Sequence, residues 1–325
     1  MSFNGNPPPF LPQTTSREVF SGSLLEALAA TRARPHRYWL HLLLLFVTLL
    51  TTTVVGAGMA RSFRGNLPVS FALEMAGYQR MFEDPGYLLS GLPFSLTLLA
   101  ILMAHEMGHY LAARYYTVDA TLPFFLPAPT LIGTLGAFIR LRSAILSKRI
   151  LFDIGIAGPI AGFAVLIVPL AVGVSLSKPV AGIALRGDFI FGTPLLLRFF
   201  ESVWFPGVAP ADLSLHPMVR AAWAGLLATA LNLLPIGQLD GGHILYAIAG
   251  ERAKWLSRLF VAILAAMGFF FAYSWLLWAA LLVLFGLRHP PIYDPHSVGR
   301  VRVWLAILAF AILVLSFTPT PVRTP

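Results

Sequence analysis

The feature that most restricts this chain is a succession of apolar runs, each about as long as a bilayer's hydrocarbon core is thick. They fall at roughly 38–60, 92–115, 150–176, 217–234, 255–287 and 301–317. A helix rising 1.5 Å per residue needs about 20 residues to cross roughly 30 Å of hydrocarbon. The run 255–287 holds 33 residues. As one helix it would measure about 50 Å, so it reads as a helical hairpin turning near Tyr273 and Ser274. A shorter apolar piece, 242–250, follows a break at Pro235, Gly237, Gly241 and Gly242. The expectation is an all-α polytopic membrane protein with about seven transmembrane helices. Composition points the same way. The chain is 57% hydrophobic and 11% charged, against about 25% charged in soluble domains. Its polar groups cannot cover its surface, so lipid must cover part of it.

The formal net charge is +9. The basic residues mostly flank apolar runs, which makes them topology determinants and anchors for anionic headgroups. No basic helix or stacking platform points to nucleic acid. With the N-terminus cytoplasmic, segments 1–37, 114–149, 250–258 and 288–302 face the cytoplasm and hold 15 of the 23 Lys and Arg. That bias has the expected sign and puts Arg114 on the cytoplasmic side. The chain has no cysteine, which excludes disulfides and thiolate metal sites. Residues 1–37 carry no apolar signal core and read as a mostly disordered cytoplasmic tail. Residues 38–318 read as one transmembrane domain with its functional core at about 90–250, and 319–325 as a short tail. The insert 178–216 is too short for a typical peptide-binding module.

The second run contains His105-Glu106-Met107-Gly108-His109. Histidines four apart lie on one helix face, one turn apart, where both imidazoles can share one ion. Glu106 can then take a proton from a water at the open coordination position. This is the His-Glu-x-x-His pattern of zinc protease helices. Two histidines and a glutamate could instead be satisfied by buried polar neighbours. Inside a membrane, however, ionisable groups cost a few kcal/mol each, and a divalent cation compensates all three at once. A catalytic zinc site usually takes three protein ligands. Asp240 is the candidate third, placed where Pro235 and the glycines break the helix at membrane depth; it could also cap the helix that follows. His243 reads as a supporting or packing residue. Glu201, in the insert, would replace Asp240 only in a zincin with a glutamate ligand. Asn232 could hydrogen-bond a developing oxyanion or satisfy backbone freed by Pro235.

With Asn232-Leu233-Leu234-Pro235 leading to Leu239-Asp240-Gly241, the motif resembles the site-2 protease family of intramembrane zinc metalloproteases, peptidase family M50. Gly158-Pro159-Ile160-Ala161-Gly162 is similar to the family's Gly-Pro segment. Arg288-His289-Pro290-Pro291 and Phe317-Thr318-Pro319 resemble the bacterial and plastid branch that lacks a PDZ-type insert. The resemblance implies one Zn²⁺ per chain held by His105, His109 and Asp240, with Glu106 as catalytic base. It also implies a zinc site nearer the cytoplasmic face; His109 lies five residues before Arg114, about 8 Å along a helix. After the motif helix a small membrane-associated β-hairpin is expected. Pro123, Pro127 and Pro129 punctuate its first part, and 133–142 reads as a strand opening on glycine. In the family such a strand pairs with unwound substrate, which here would involve Gly133, Thr134, Leu135 and Gly136. The implied substrates are single-span membrane proteins, or remnants left by an earlier cut. A metal-ion transporter and a catalytically idle relative that binds membrane proteins are the alternatives. The leader is not transit-like, so the expected location is a bacterial inner membrane.

Overall fold

The computed structural model describes residues 37–72, 84–285, 292, 294 and 296–324. The tail 1–36 and the segment 288–291 lie outside the described residues. Residues Trp39–Pro325 form one compact unit.

Helix α1 (Tyr38–Arg64) carries threonines that would be costly in hydrocarbon if left unpaired. Their hydroxyls turn back on the helix. Thr48 donates to the Leu44 carbonyl at 2.7 Å, Thr52 to Thr48 at 2.7 Å and Thr53 to Leu49 at 2.6 Å. Helix α2 (Leu92–Tyr115) carries the His-Glu motif. Helix α3 (Lys148–Ser175) keeps Pro159 and Pro169 inside it. A proline costs an intrahelical hydrogen bond, and neighbouring helices in a bundle can compensate. Helix α2 packs most extensively on α3, and both pack on α5 (Pro217–Leu233). Phe94, Leu98, Ile101, Leu166, Leu170 and Leu226 form the core between them.

Three pieces interrupt the bundle. A hairpin of β1 (Phe124–Pro127) and β2 (Thr134–Phe138) follows α2, with Phe124 opposite Phe138 and Pro127 opposite Thr134. The strand expected over 133–142 is thus shorter, and its partner is the proline-punctuated stretch before it. The insert after α3 holds β3 (Lys178–Pro179), β4 (Ile190–Phe191), the helix α4 (Leu195–Trp204) and β5 (Leu213–Ser214). Strand β3 pairs with β5. Helix α5 stops before Pro235, and α6 (Asp240–Ala249) starts after a tight reversal. A Cβ on Gly241 would sit 2.1 Å from the Leu233 carbonyl oxygen, so only glycine lets α6 begin there.

Helices α7 (Ala253–Phe270) and α8 (Ser274–Phe285) make the expected hairpin, turning at 271–273. The last helix, α9 (Arg300–Ser316), is fastened to α3 where Arg302 Nε donates to Asp153 at 2.7 Å. Strand β6 (Val322–Arg323) then pairs with β4.

The count of seven spans is not reached. Among the described residues four helices are long and apolar enough to cross a membrane: Tyr38–Arg64, Gly86–Tyr115, Lys148–Ser175 and Asp240–Phe270. Helices α5 and α9 have 17 residues each and α8 has 12 up to the last described residue of that stretch, so seven crossings are not established among the described residues. The short piece at 242–250 belongs to the fourth long helix, because α6 runs on into α7 through one 3₁₀ turn.

Candidate metal centre

Helix periodicity puts His105 and His109 on the same face of α2, and both are buried. Their Nε2 atoms lie 3.2 Å apart. Asp240, the first residue of α6, brings Oδ2 to 3.2 Å from His105 Nε2 and 3.3 Å from His109 Nε2. The three ligand atoms all fall within 4.8 Å of one another. The cap of α6 is Leu239, with no side-chain hydrogen bond. The Asp240 carboxylate therefore faces the histidines and does not cap its helix.

The hydrogen bonds around the trio indicate what it is built to hold. His109 Nδ1 lies 2.7 Å from the Ile154 carbonyl oxygen. A carbonyl only accepts, so Nδ1 carries a proton and Nε2 is the nitrogen left to offer its lone pair to a metal. That lone pair points at a second imidazole nitrogen and a carboxylate oxygen. Oδ2 of Asp240 is itself buried without a well-formed hydrogen bond. Three electron-rich atoms aimed at one point repel unless a cation sits among them. Two imidazoles and one carboxylate suit a borderline-soft divalent ion such as zinc.

Helix α3 makes the bed for this cluster. A Cβ on Gly158 would sit 2.1 Å from His109 Nε2, and one on Gly162 would sit 3.0 Å from His105 Cβ. The two glycines are spaced like the two histidines, and each ring lies where a side chain would otherwise be. Gly155 continues that face and meets His243 Cβ at 3.1 Å. His243 therefore packs on α3, outside the ligand trio.

Glu106 is buried beside the trio and contributes no atom to it. The backbone of Ile139, the residue after β2, lies close enough to act on its carboxylate. The hairpin thus ends against the candidate base. The hairpin is pinned at two points on α1. His41 Nδ1 reaches the Pro123 carbonyl at 3.1 Å, and Thr51 donates to the Gly133 carbonyl at 2.7 Å. Thr134 hydrogen-bonds within the hairpin, to Leu126 O at 2.8 Å. Leu135 is 69% exposed, and nothing lies within 4 Å of the Cβ direction of Gly136. Asn232, near the end of α5, places Nδ2 3.2 Å from His105 Nε2, at the rim of the cluster. Glu201 is remote from it, on α4. The roles of Ile154 and Gly158 were not legible in the sequence. The Gly-Pro segment was the only signal, and it does not say which ring lies against it.

Fold and centre together define a helical membrane protein with a buried site for a divalent metal and a carboxylate beside it. The chain belongs to peptidase family M50, whose model matches residues 93–275. It is 32% identical over 307 residues to the probable zinc metalloprotease EGY1, chloroplastic, of Oryza sativa subsp. japonica, covering 88% of this chain and 51% of that protein. It is 34% identical over 241 residues to the protein of the same name from Arabidopsis thaliana, covering 71% and 43%. The probable zinc metalloprotease EGY2, chloroplastic, of Oryza sativa subsp. indica is 32% identical over 259 residues, covering 74% and 45%. The chain spans about half the length of these relatives. Their names make zinc the ion implied for the trio.

Proposed function

We propose that this chain is an intramembrane zinc-dependent endopeptidase that cuts membrane proteins within or beside their transmembrane segments. The observation carrying this is the convergence of His105, His109 and Asp240 from two helices, with Glu106 beside them. These three residues would hold the zinc, one per chain. Bound there, zinc supplies a Lewis acid for the scissile carbonyl and makes a water acidic enough to attack near neutral pH. Glu106 takes the proton from the attacking water and returns it to the leaving amine nitrogen. Asn232 Nδ2–H, at the rim, donates to the carbonyl oxygen as negative charge gathers on it.

Reconstituted in liposomes with single-span membrane proteins, the chain is expected to cut at least one of them, to stop on chelation and to resume with zinc. Cleavage that persists after the zinc is removed would overturn the proposal. Asn232→Ala is expected to lower kcat by about 10²-fold, as loss of one oxyanion donor does. KM and zinc content should hardly move; an unchanged kcat would remove Asn232 from the mechanism.

Substrate enters in extended form along β2. Strand β1 carries Pro127, which has no N–H to offer, whereas Gly133 leads into β2 and Thr134, Leu135 and Gly136 run along it toward Glu106. A photoreactive residue at Leu135 should cross-link to substrate held by an inactive variant. One at Phe125, which is 1% exposed, should not. Equal cross-linking at both would rule the strand out. The proposed substrates are single-span proteins or remnants of an earlier cut, with the Arg114 end of α2 toward the cytoplasm. The named relatives are chloroplastic, so the bacterial inner membrane gains no support from them.

A further inference from the structure

Helix α4 lies in the insert, at the end of the bundle remote from Arg114, and is amphipathic in an unusual sense. Leu195, Phe199 and Val203 form a stripe at i, i+4 and i+8, exposed by 53, 60 and 54%. Its inner face carries Leu197 and Glu201, both buried. Glu201 lines a cavity of about 520 Å³ whose walls include Met59, Phe191, Leu213 and Trp223. That size is ordinary for a small-molecule site. Oε2 of Glu201 has no hydrogen-bond partner. Arg198, Arg220 and Arg323 line the same cavity. Burial pushes the Glu201 carboxyl up to about 7, with Arg198 opposing the shift. Burying a carboxylate oxygen without a hydrogen-bond partner costs stability, and such groups cluster at functional sites.

The exposed stripe says where the chamber lies. In a membrane protein, an apolar helix face outside the spans rests at the headgroup level of the bilayer. A ligand reaching the chamber from there must offer a hydrogen-bond-donating cation to Glu201 and an anion to the arginines. We infer that this cavity binds the headgroup of an amine-bearing phospholipid, with its ammonium on Glu201 and its phosphodiester on Arg198. The apolar walls take the glycerol and the first acyl carbons. This rests on the chain being embedded in a membrane, and not on its being a peptidase.

The test is native mass spectrometry of the purified full chain, released from detergent. It is titrated with dihexanoyl phosphatidylethanolamine, dihexanoyl phosphatidylcholine, free phosphoethanolamine and glycylglycine. One phosphatidylethanolamine should bind saturably. Phosphatidylcholine, which keeps the charge but has no ammonium N–H, should bind at least tenfold more weakly. Glu201→Gln and Arg198→Ala should each weaken phosphatidylethanolamine at least tenfold. Equal affinity for the two lipids, or unchanged binding by Glu201→Gln, would overturn the proposal. So would free phosphoethanolamine binding as tightly as the lipid, or the dipeptide binding where the lipid does not. Glu201→Gln is also a fold control. The folded carboxyl titrates above its unfolded value, so stability falls as pH rises from about 4.5 to about 7. Glutamine has no such loss, and the variant should melt higher than the parent at pH 8 and equally at pH 4.5. Because binding is read without cleavage, its failure and the failure of the peptidase proposal are separable.

Discussion

Glu106→Gln should leave zinc bound and the fold intact while cleavage falls by at least 10²-fold, the lower end of what a positioned acid–base group contributes. The substitution keeps the volume of the side chain, so the packing of α2 against its neighbours is not opened. It removes only the capacity to take up and return a proton. Zinc should stay because the ligand atoms belong to His105, His109 and Asp240, and Glu106 contributes none. Metal analysis and a cleavage assay on the same preparation check both halves. Cleavage at the parental rate would sink the assignment of Glu106. The variant also separates the alternatives. A metal-ion transporter with this trio would still load zinc into vesicles when Glu106 is glutamine. A catalytically idle relative would hold zinc and leave every substrate intact even with Glu106 present.

The grouping of His105, His109 and Asp240 was more legible in the sequence than the architecture was. His105 and His109 could be read as a pair because a helix converts spacing into direction, and four residues make one turn. Asp240 could be read because a carboxylate beside Pro235 and two glycines at membrane depth needs a reason. What the sequence could not show is which helices face one another. The turn at 271–273 was legible because a 33-residue apolar run is too long for one crossing. Where α5, α8 and α9 begin and end was not, because hydropathy marks apolar residues and not helix ends. Strand β1 was hidden by Pro127 and by the prolines on either side of it, and a proline is tolerated in a two-stranded edge. Glu201 looked like an unsuited ligand among aromatics. Only the tertiary structure puts it into a cavity with three arginines.

Gly158→Ala is expected to weaken zinc binding by at least 10–100-fold, although Gly158 is no ligand. The added Cβ would lie 2.1 Å from His109 Nε2 and 2.5 Å from two ring carbons. Those distances are well inside contact, so the ring or the helix must move. The ring has little freedom, since Nδ1 is held to the Ile154 carbonyl at 2.7 Å. Tilting it away breaks that bond or turns the Nε2 lone pair off the point shared with His105 and Asp240. Ligand geometry tolerates only about 0.5 Å, and disturbing groups that orient a ligand commonly costs 10–100-fold in affinity. Separating α3 from α2 instead would also open the contact of Gly108, where a Cβ would meet the Ala157 carbonyl oxygen at 2.5 Å. Gly173→Ala on the same helix is the control. There the new Cβ would meet Val219 Cγ2 at 2.8 Å and its backbone nitrogen at 2.9 Å, at the other end of α3. It should lower thermal stability and leave zinc in place. Competition with a chelator measures zinc affinity in both variants, and melting measures stability. If Gly158→Ala held zinc as tightly as the parent, the glycine face of α3 would be ordinary helix packing and not the bed of the metal centre.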